Sequence, residues 1–182
     1  CHIVEMGDNE KLIRKCQQKS HKAFEELYRK FSPFVYGICL RYAKNRDEAQ
    51  DILQDCFIKV MDKIGDYRFE GSFEGWLQRM AVNESLNYLR LGRSSFSELD
   101  EDDSDAKDES PDIVSNMSAR DLLDAISKMP DGYRTIFNMY VIEGYQHNEI
   151  AEKLNITEST SRSQLKKARE YLIEIIKNDF ER

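Results

Sequence analysis

The run QHNEIAEKLNITESTSRSQLKKAR, residues 146–169, carries two helical patterns separated by one tight turn. Ile150, Ala151 and Leu154 recur at the three-to-four spacing of a short amphipathic helix. Leu154-Asn155-Ile156 then breaks the period, and a second helix starts at Thr157 or Glu158, residue types that favour a helix start. Ala151 is small where two crossing helices must approach, and Ile156 is placed to plug the core from the turn. This is the pattern of a helix-turn-helix. In such motifs the N-terminal half of the second helix enters the DNA major groove. Glu158, Ser159, Arg162, Ser163 and Lys166 would face the bases, with Lys167 and Arg169 further along for phosphates. Residues 159–172 hold four bases against one acid. An amphipathic surface helix with solvated lysines is the competing reading.

Working outward, Leu122, Leu123, Ile126 and Met129 mark a helix stopped by Pro130. Tyr133, Ile136, Phe137, Tyr140 and Val141 mark another, ended by Gly144. With the helices at about 146–153 and 158–177, they make one small all-helical domain. Upstream lies SSFSELDEDDSDAKDESP, residues 94–111, with eight acids and one base. So polar a segment buries too little apolar surface to offset its ordering entropy, and it reads as a flexible linker. It also accounts for the net charge of −7. The rest of the chain is balanced, so the acidity does not argue against a nucleic-acid partner. The expected organisation is a domain at 1–93, a linker at 94–111 and a domain at 112–182.

The first domain is helical as well. Asp8 can cap a helix through about Lys19. Ser20 can start a second, with Ala23, Phe24, Leu27, Tyr28 and Phe31 on one face. Ser32-Pro33 reads as a fresh cap and first position, followed by Val35, Ile38, Cys39 and Tyr42. Asn45 with Glu48 three later resembles a capping box. It opens a helix through about Ile64 whose apolar stripe runs from Ala49 to Ile64. Its other face carries Asp47, Asp51, Gln54 and Asp55, with Ile58 apolar and outward; taken alone, such a charged face is more often plainly solvated. A loop from Gly65 to Gly71 leads to Ser72, which caps a helix ending near Gly92. That helix shows Arg79, Asn83, Asn87 and Arg90 about a turn apart, a set suited to phosphates and base edges. Tyr67, Phe69 and Phe73 surround the loop and could stack on unpaired bases; Phe73 and Trp76 also fit a core.

Composition narrows the classes. No apolar run approaches the roughly 20 residues of a membrane span, and Cys1–Met6 lacks a signal-peptide pattern, so the expectation is a cytoplasmic protein without membrane insertion. Cys1, Cys16, Cys39 and Cys56 have no paired spacing and no neighbouring histidines, against a metal or disulfide framework. Cys39 and Cys56 read as core residues. Three histidines, with no phosphate loop or nucleophile–base arrangement, argue against an enzyme, and no cofactor is expected.

Together these stretches resemble the extracytoplasmic-function (ECF) class of sigma factors within the sigma-70 family. DEAQDILQDCFIKVM (47–61) is similar to the helix by which sigma factors hold the polymerase clamp. YRFEGSFEGWLQRMAVNESLNYLR (67–90) resembles the element that recognises and opens the minus-ten region. MPDGYRTIFNMYVIEGYQHNEIAEKLNITESTSRSQLKKAREYL (129–172) resembles the reader of the minus-thirty-five region. Three positions depart from the family pattern: Gln146 stands for a small hydroxyl residue, Ser161 for Val and Gln164 for Arg.

The resemblance implies an all-α protein that binds core RNA polymerase, through the beta-prime clamp and beta subunits, and both double- and single-stranded promoter DNA. It implies docking through Asp47, Asp51, Leu53, Gln54, Asp55 and Ile58. For the minus-ten element it implies Tyr67, Phe69, Ser72, Phe73, Trp76, Arg79, Asn83, Asn87 and Arg90, with one base flipped from the stack. For the minus-thirty-five element it implies Ser159, Thr160, Arg162, Ser163 and Lys166, with Arg134, Lys167 and Arg169 on phosphates. The acidic linker would run through the basic channel that later holds RNA. An anti-sigma factor or another DNA-bound recruiting factor is compatible with this reading. The alternative is a stand-alone helix-turn-helix regulator, which needs neither 47–61 nor 67–90.

Overall fold

A computed structural model of the chain describes residues 7–91 and 118–180. The acidic segment at 94–111 lies outside the described residues, as do residues 1–6. Among the described residues every regular element is helical, in agreement with the all-α expectation. The elements are α1 (Asp8–Gln17), α2 (His21–Tyr42), α3 (Arg46–Lys63), a 3-10 turn (Ile64–Asp66), α4 (Phe73–Leu91), α5 (Ala119–Ser127), α6 (Asp131–Phe137), a π-helical turn (Asn138–Ile142), α7 (His147–Leu154) and α8 (Glu158–Phe180). The described residues form two compact units, one within 7–40 and 45–87 and the other within 41–44, 88–91 and 118–180. None of the described helices is long and apolar enough to cross a membrane.

In the first unit, α1 follows Gly7, and Asp8 is its first residue rather than its cap. Ser20 does start α2: its hydroxyl accepts from Ala23 N and its carbonyl from Phe24 N. The break expected at Ser32-Pro33 does not occur, and α2 runs on through Pro33. A proline here removes one backbone bond and normally kinks or ends a helix. The stripe Ala23, Leu27, Phe31, Val35, Ile38 and Cys39 stays in phase across it and is buried throughout, while Pro33 faces solvent. Packing of that stripe overrides the local preference.

Asn45 caps α3 by accepting from Glu48 N at 2.9 Å. Ala49, Ile52, Leu53, Cys56, Phe57 and Val60 turn inward. Cys39 and Cys56 are fully buried, as small core residues are, and burial pushes the Cys56 thiol up to about 12. Ser72 starts α4 through its hydroxyl on Gly75 N and its carbonyl on Trp76 N.

In the second unit Ser118 caps α5, and Pro130 stands before α6. The helix expected to reach Gly144 widens into the π turn at Asn138, where Glu143 N donates to Asn138 O. Gly144 takes φ +79 and ends it. Asn155 supplies the left-handed residue of the α7–α8 turn, at φ 56 and ψ 49. Left-handed backbone is costly for most side chains and cheapest for Gly and Asn. Ile150, Leu154, Leu165, Ala168 and Leu172 close the core between α7 and α8.

Candidate nucleic-acid interface

The face of α3 opposite the core carries Asp47, Asp51, Gln54, Asp55 and Ile58, all exposed. Their spacing keeps them on one stripe, because residues three and four apart share a helix face. Ile58 is 60% and Met61 53% exposed, so two apolar side chains stand among acids. Met61 falls within the apolar stripe expected from Ala49 to Ile64, and the structure turns it outward beside Ile58. Leu53 is a correction in the other direction. Expected to add apolar area for docking, it is 3% exposed, since its place one turn beyond Ala49 points it into the core.

The second surface is the turn from Asp66 to Gly75. Asp66, Tyr67, Arg68, Glu70, Gly71, Ser72, Gly75, Trp76 and Arg79 line a pocket of about 220 Å³. The Tyr67 hydroxyl donates to Gly71 O at 3.0 Å and closes the loop on itself. Burial first, and Glu74 second, hold that phenol above its ordinary pKa, so it stays a donor. Trp76 packs on Phe73 with ring centroids 5.5 Å apart and lies 5.6 Å from Tyr67. Phe73 is 5% exposed and meets Phe31 edge-on, so it supports Trp76 from below and offers no face to a base. Tyr67, 7% exposed, forms a wall of the pocket and not a free stacking platform. Phe69 is half-buried, in left-handed backbone at φ +60, with the Arg14 guanidinium 4.5 Å above its ring.

From the pocket rim α4 leads away with Arg79, Asn83, Asn87 and Arg90 exposed in one row. Asp66, Arg68, Glu70, Gly71 and Gly75 were not among the expected site residues. The available signal was the pair of glycines around the Ser72 cap: a Cβ on Gly75 would stand 2.9 Å from the Ser72 hydroxyl.

The third surface is the start of α8. Thr157 caps it, with Thr160 N donating to its hydroxyl at 3.0 Å. Ser159, Arg162 and Lys166 are exposed along one stripe, and Arg162 pairs with Glu158 at 3.1 Å. Lys167 and Arg169 flank it, half-buried. Thr160 and Ser163 do not join them. Thr160 is 3% and Ser163 4% exposed, and the Ser163 hydroxyl donates to Thr160 O, so both face the helix packing. Arg134 is corrected most strongly. Expected on phosphates, it is 1% exposed, donating to Met129 O at 2.9 Å and Asp131 Oδ1 at 2.6 Å. It fastens the α5–α6 turn.

Two of the three departures from the expected pattern, Gln146 and Ser161, have local explanations. Gln146 precedes α7 with its backbone N–H donating to Glu149 Oε2 at 2.8 Å, which supplies half of a capping box without a hydroxyl. Ser161 is buried, its hydroxyl 2.9 Å from His147 Nδ1, while the imidazole stacks on Tyr140 at 4.4 Å. Burial first, and Arg162 second, lower the His147 pKa, with Glu158 opposing. The unfolded chain therefore binds this proton more readily than the folded one. Stability from this group is complete above the ordinary histidine value and falls as pH drops below it. The thermal midpoint should decline from about pH 7 to about pH 5.5, and His147→Gln should reduce that decline; equal slopes would exclude the histidine.

The outward acidic stripe, the aromatic pocket beside an Arg/Asn row and the basic helix-turn-helix lie on the three stretches that resemble sigma factors. Two family models agree: Sigma-70 region 2 matches residues 27–94, and Sigma-70 region 4 matches residues 119–172. The ECF RNA polymerase sigma-E factor of Haemophilus influenzae is 30% identical over 182 residues, covering 93% of this chain and 96% of its own length. The RNA polymerase sigma-H factor of Pseudomonas aeruginosa is 30% identical, covering 92% and 93%. A solved structure of the sigma factor RpoE in complex with the anti-sigma factor NepR from Bartonella quintana shares the fold, with TM-score 0.53, 18% identity and coverage of 86% of this chain and 98% of that one. The chain belongs to the ECF sigma factors of the sigma-70 family. It is an RNA polymerase sigma factor, a transcription initiation factor that binds core polymerase and directs promoter-specific initiation, and the stand-alone regulator is not favoured.

Proposed function

We propose a division of this work among the three surfaces, on a chain partitioned functionally as 1–93, 94–111 and 112–182. Asp47, Asp51, Gln54, Asp55 and Ile58 dock on a basic and apolar surface of the polymerase clamp. Charge of opposite sign speeds encounter and fixes register, while Ile58 and its neighbour Met61 add apolar area. Ser159, Arg162 and Lys166 read base edges in the upstream major groove, with Lys167 and Arg169 on phosphates. The acidic segment 94–111 occupies the basic channel later taken by RNA. The protein works beside polymerase in the cytoplasm and performs no catalytic step of its own. A sigma factor captured with an anti-sigma factor among its structural relatives supports regulation by such a partner here as well.

The observation that carries most of this reading is the pocket between Tyr67 and Trp76 with Arg79 at its rim. An unstacked base of the non-template strand enters it, with Ser72 at the wall, and the strand continues along Arg79, Asn83, Asn87 and Arg90. Unstacking costs a few kcal/mol, which binding of the extruded base and its phosphates must offset. Trp76→Leu keeps apolar volume over Phe73 and removes the flat ring. A base–aromatic stack contributes about 1–3 kcal/mol, so permanganate-reactive open complex should fall roughly tenfold or more. Unchanged reactivity would remove Trp76 from the pocket's function.

A further inference from the structure

Helix α1 precedes the segment matched by the region 2 model, and among the expected site residues none lies on it. It nevertheless reaches the pocket. The Gln17 amide Nε2 donates to two backbone carbonyls, Ile64 O at 3.0 Å and Tyr67 O at 2.9 Å. These carbonyls bracket the 3-10 turn that delivers the chain into the pocket wall. A primary amide has two N–H donors, and both are spent on this turn. One turn back, Arg14 lies over the Phe69 ring while its Nε and Nη2 are held by Glu10 Oε1 at 3.1 and 2.7 Å.

Phe69 is the residue that needs holding. Its φ of +60 is a conformation that side chains with a Cβ rarely adopt. Such residues persist only where the surroundings over-determine them. The loop is fastened by Gln17 on its incoming strand, Arg14 on Phe69, and Tyr67 on Gly71. Two of the three fasteners come from α1.

We infer that Gln17 is a positioning residue that keeps the base-receiving loop in its binding shape. The inference rests on the base-capture reading above. Ordering a loop at the moment of binding subtracts from affinity, and a loop ordered in advance avoids that loss. If the receiving shape were only a fraction of the population, apparent affinity for the base would drop by that fraction. Gln17 is half-buried and acts through the loop, with no direct part in holding the base.

The test uses holoenzyme on fork-junction DNA whose non-template strand carries either the natural base or an abasic site at each minus-ten position in turn. Wild type should bind the natural base more tightly at one position. In Gln17→Leu that base-dependent gain should shrink, up to roughly tenfold for two lost hydrogen bonds, while affinity for the abasic fork and for core polymerase is unchanged. Two variants of similar length separate donor chemistry from bulk. Gln17→Glu, which presents a carboxylate to two carbonyls, should lose the gain, and Gln17→Lys, which restores donors, should recover part of it. Equal losses on natural and abasic forks, or a full gain retained in Gln17→Leu, would overturn the role of Gln17 and leave base capture standing. A wild type that never distinguishes base from abasic site would overturn base capture and this inference together.

Discussion

Arg134→Met should destabilise the second unit by about 3 kcal/mol, measured by urea unfolding of the full chain. The guanidinium is 1% exposed and serves Met129 O and Asp131 at once. Methionine fills most of the volume but leaves the Met129 carbonyl without this donor, and a buried polar group stripped of its partner costs its full desolvation. Upstream promoter binding should weaken equally on every sequence, because α6 supports the helix-turn-helix. A phosphate contact would behave differently: stability would be untouched and the salt dependence of binding would decrease by about one unit of slope.

Reversing Asp51 and Asp55 to Lys together should leave folding unaffected and abolish competition for core polymerase. Both side chains are exposed on α3. Like charges brought together at an interface cost several kcal/mol, so holoenzyme affinity should fall at least about a hundredfold. A fall of that size with an unchanged melting curve locates the docking surface. An unchanged affinity would return the stripe to plain solvation, the alternative its sequence pattern also allows.

The helices were legible because their apolar positions recur with helical period, and Asn45, Ser72 and Thr157 mark their starts by hydrogen bonds that the structure contains. The misreadings share one cause: local chemistry was taken at face value where packing decides. Pro33 looked like a beginning, yet the stripe on either side holds α2 together. Leu53, Thr160 and Ser163 sit on helices with functional faces, but one-residue steps of about 100° place them on the packed side. Arg134 was a cation in a DNA reader, and nothing local says that its donors close a turn. Gln17 was invisible for a different reason. Its partners lie 47 and 50 residues away, and a glutamine near the end of an amphipathic helix carries no sign of that distance.

Trp76 is the only tryptophan in the chain, and it lines the pocket. Excitation at the red edge of indole absorption therefore reports on one place in this protein, with no label and no added residue. Stacking of a nucleobase quenches that emission, so a stopped-flow trace of the free chain with unlabelled single-stranded promoter DNA would time the proposed arrival of the base. The same wall that shapes the pocket is its own clock.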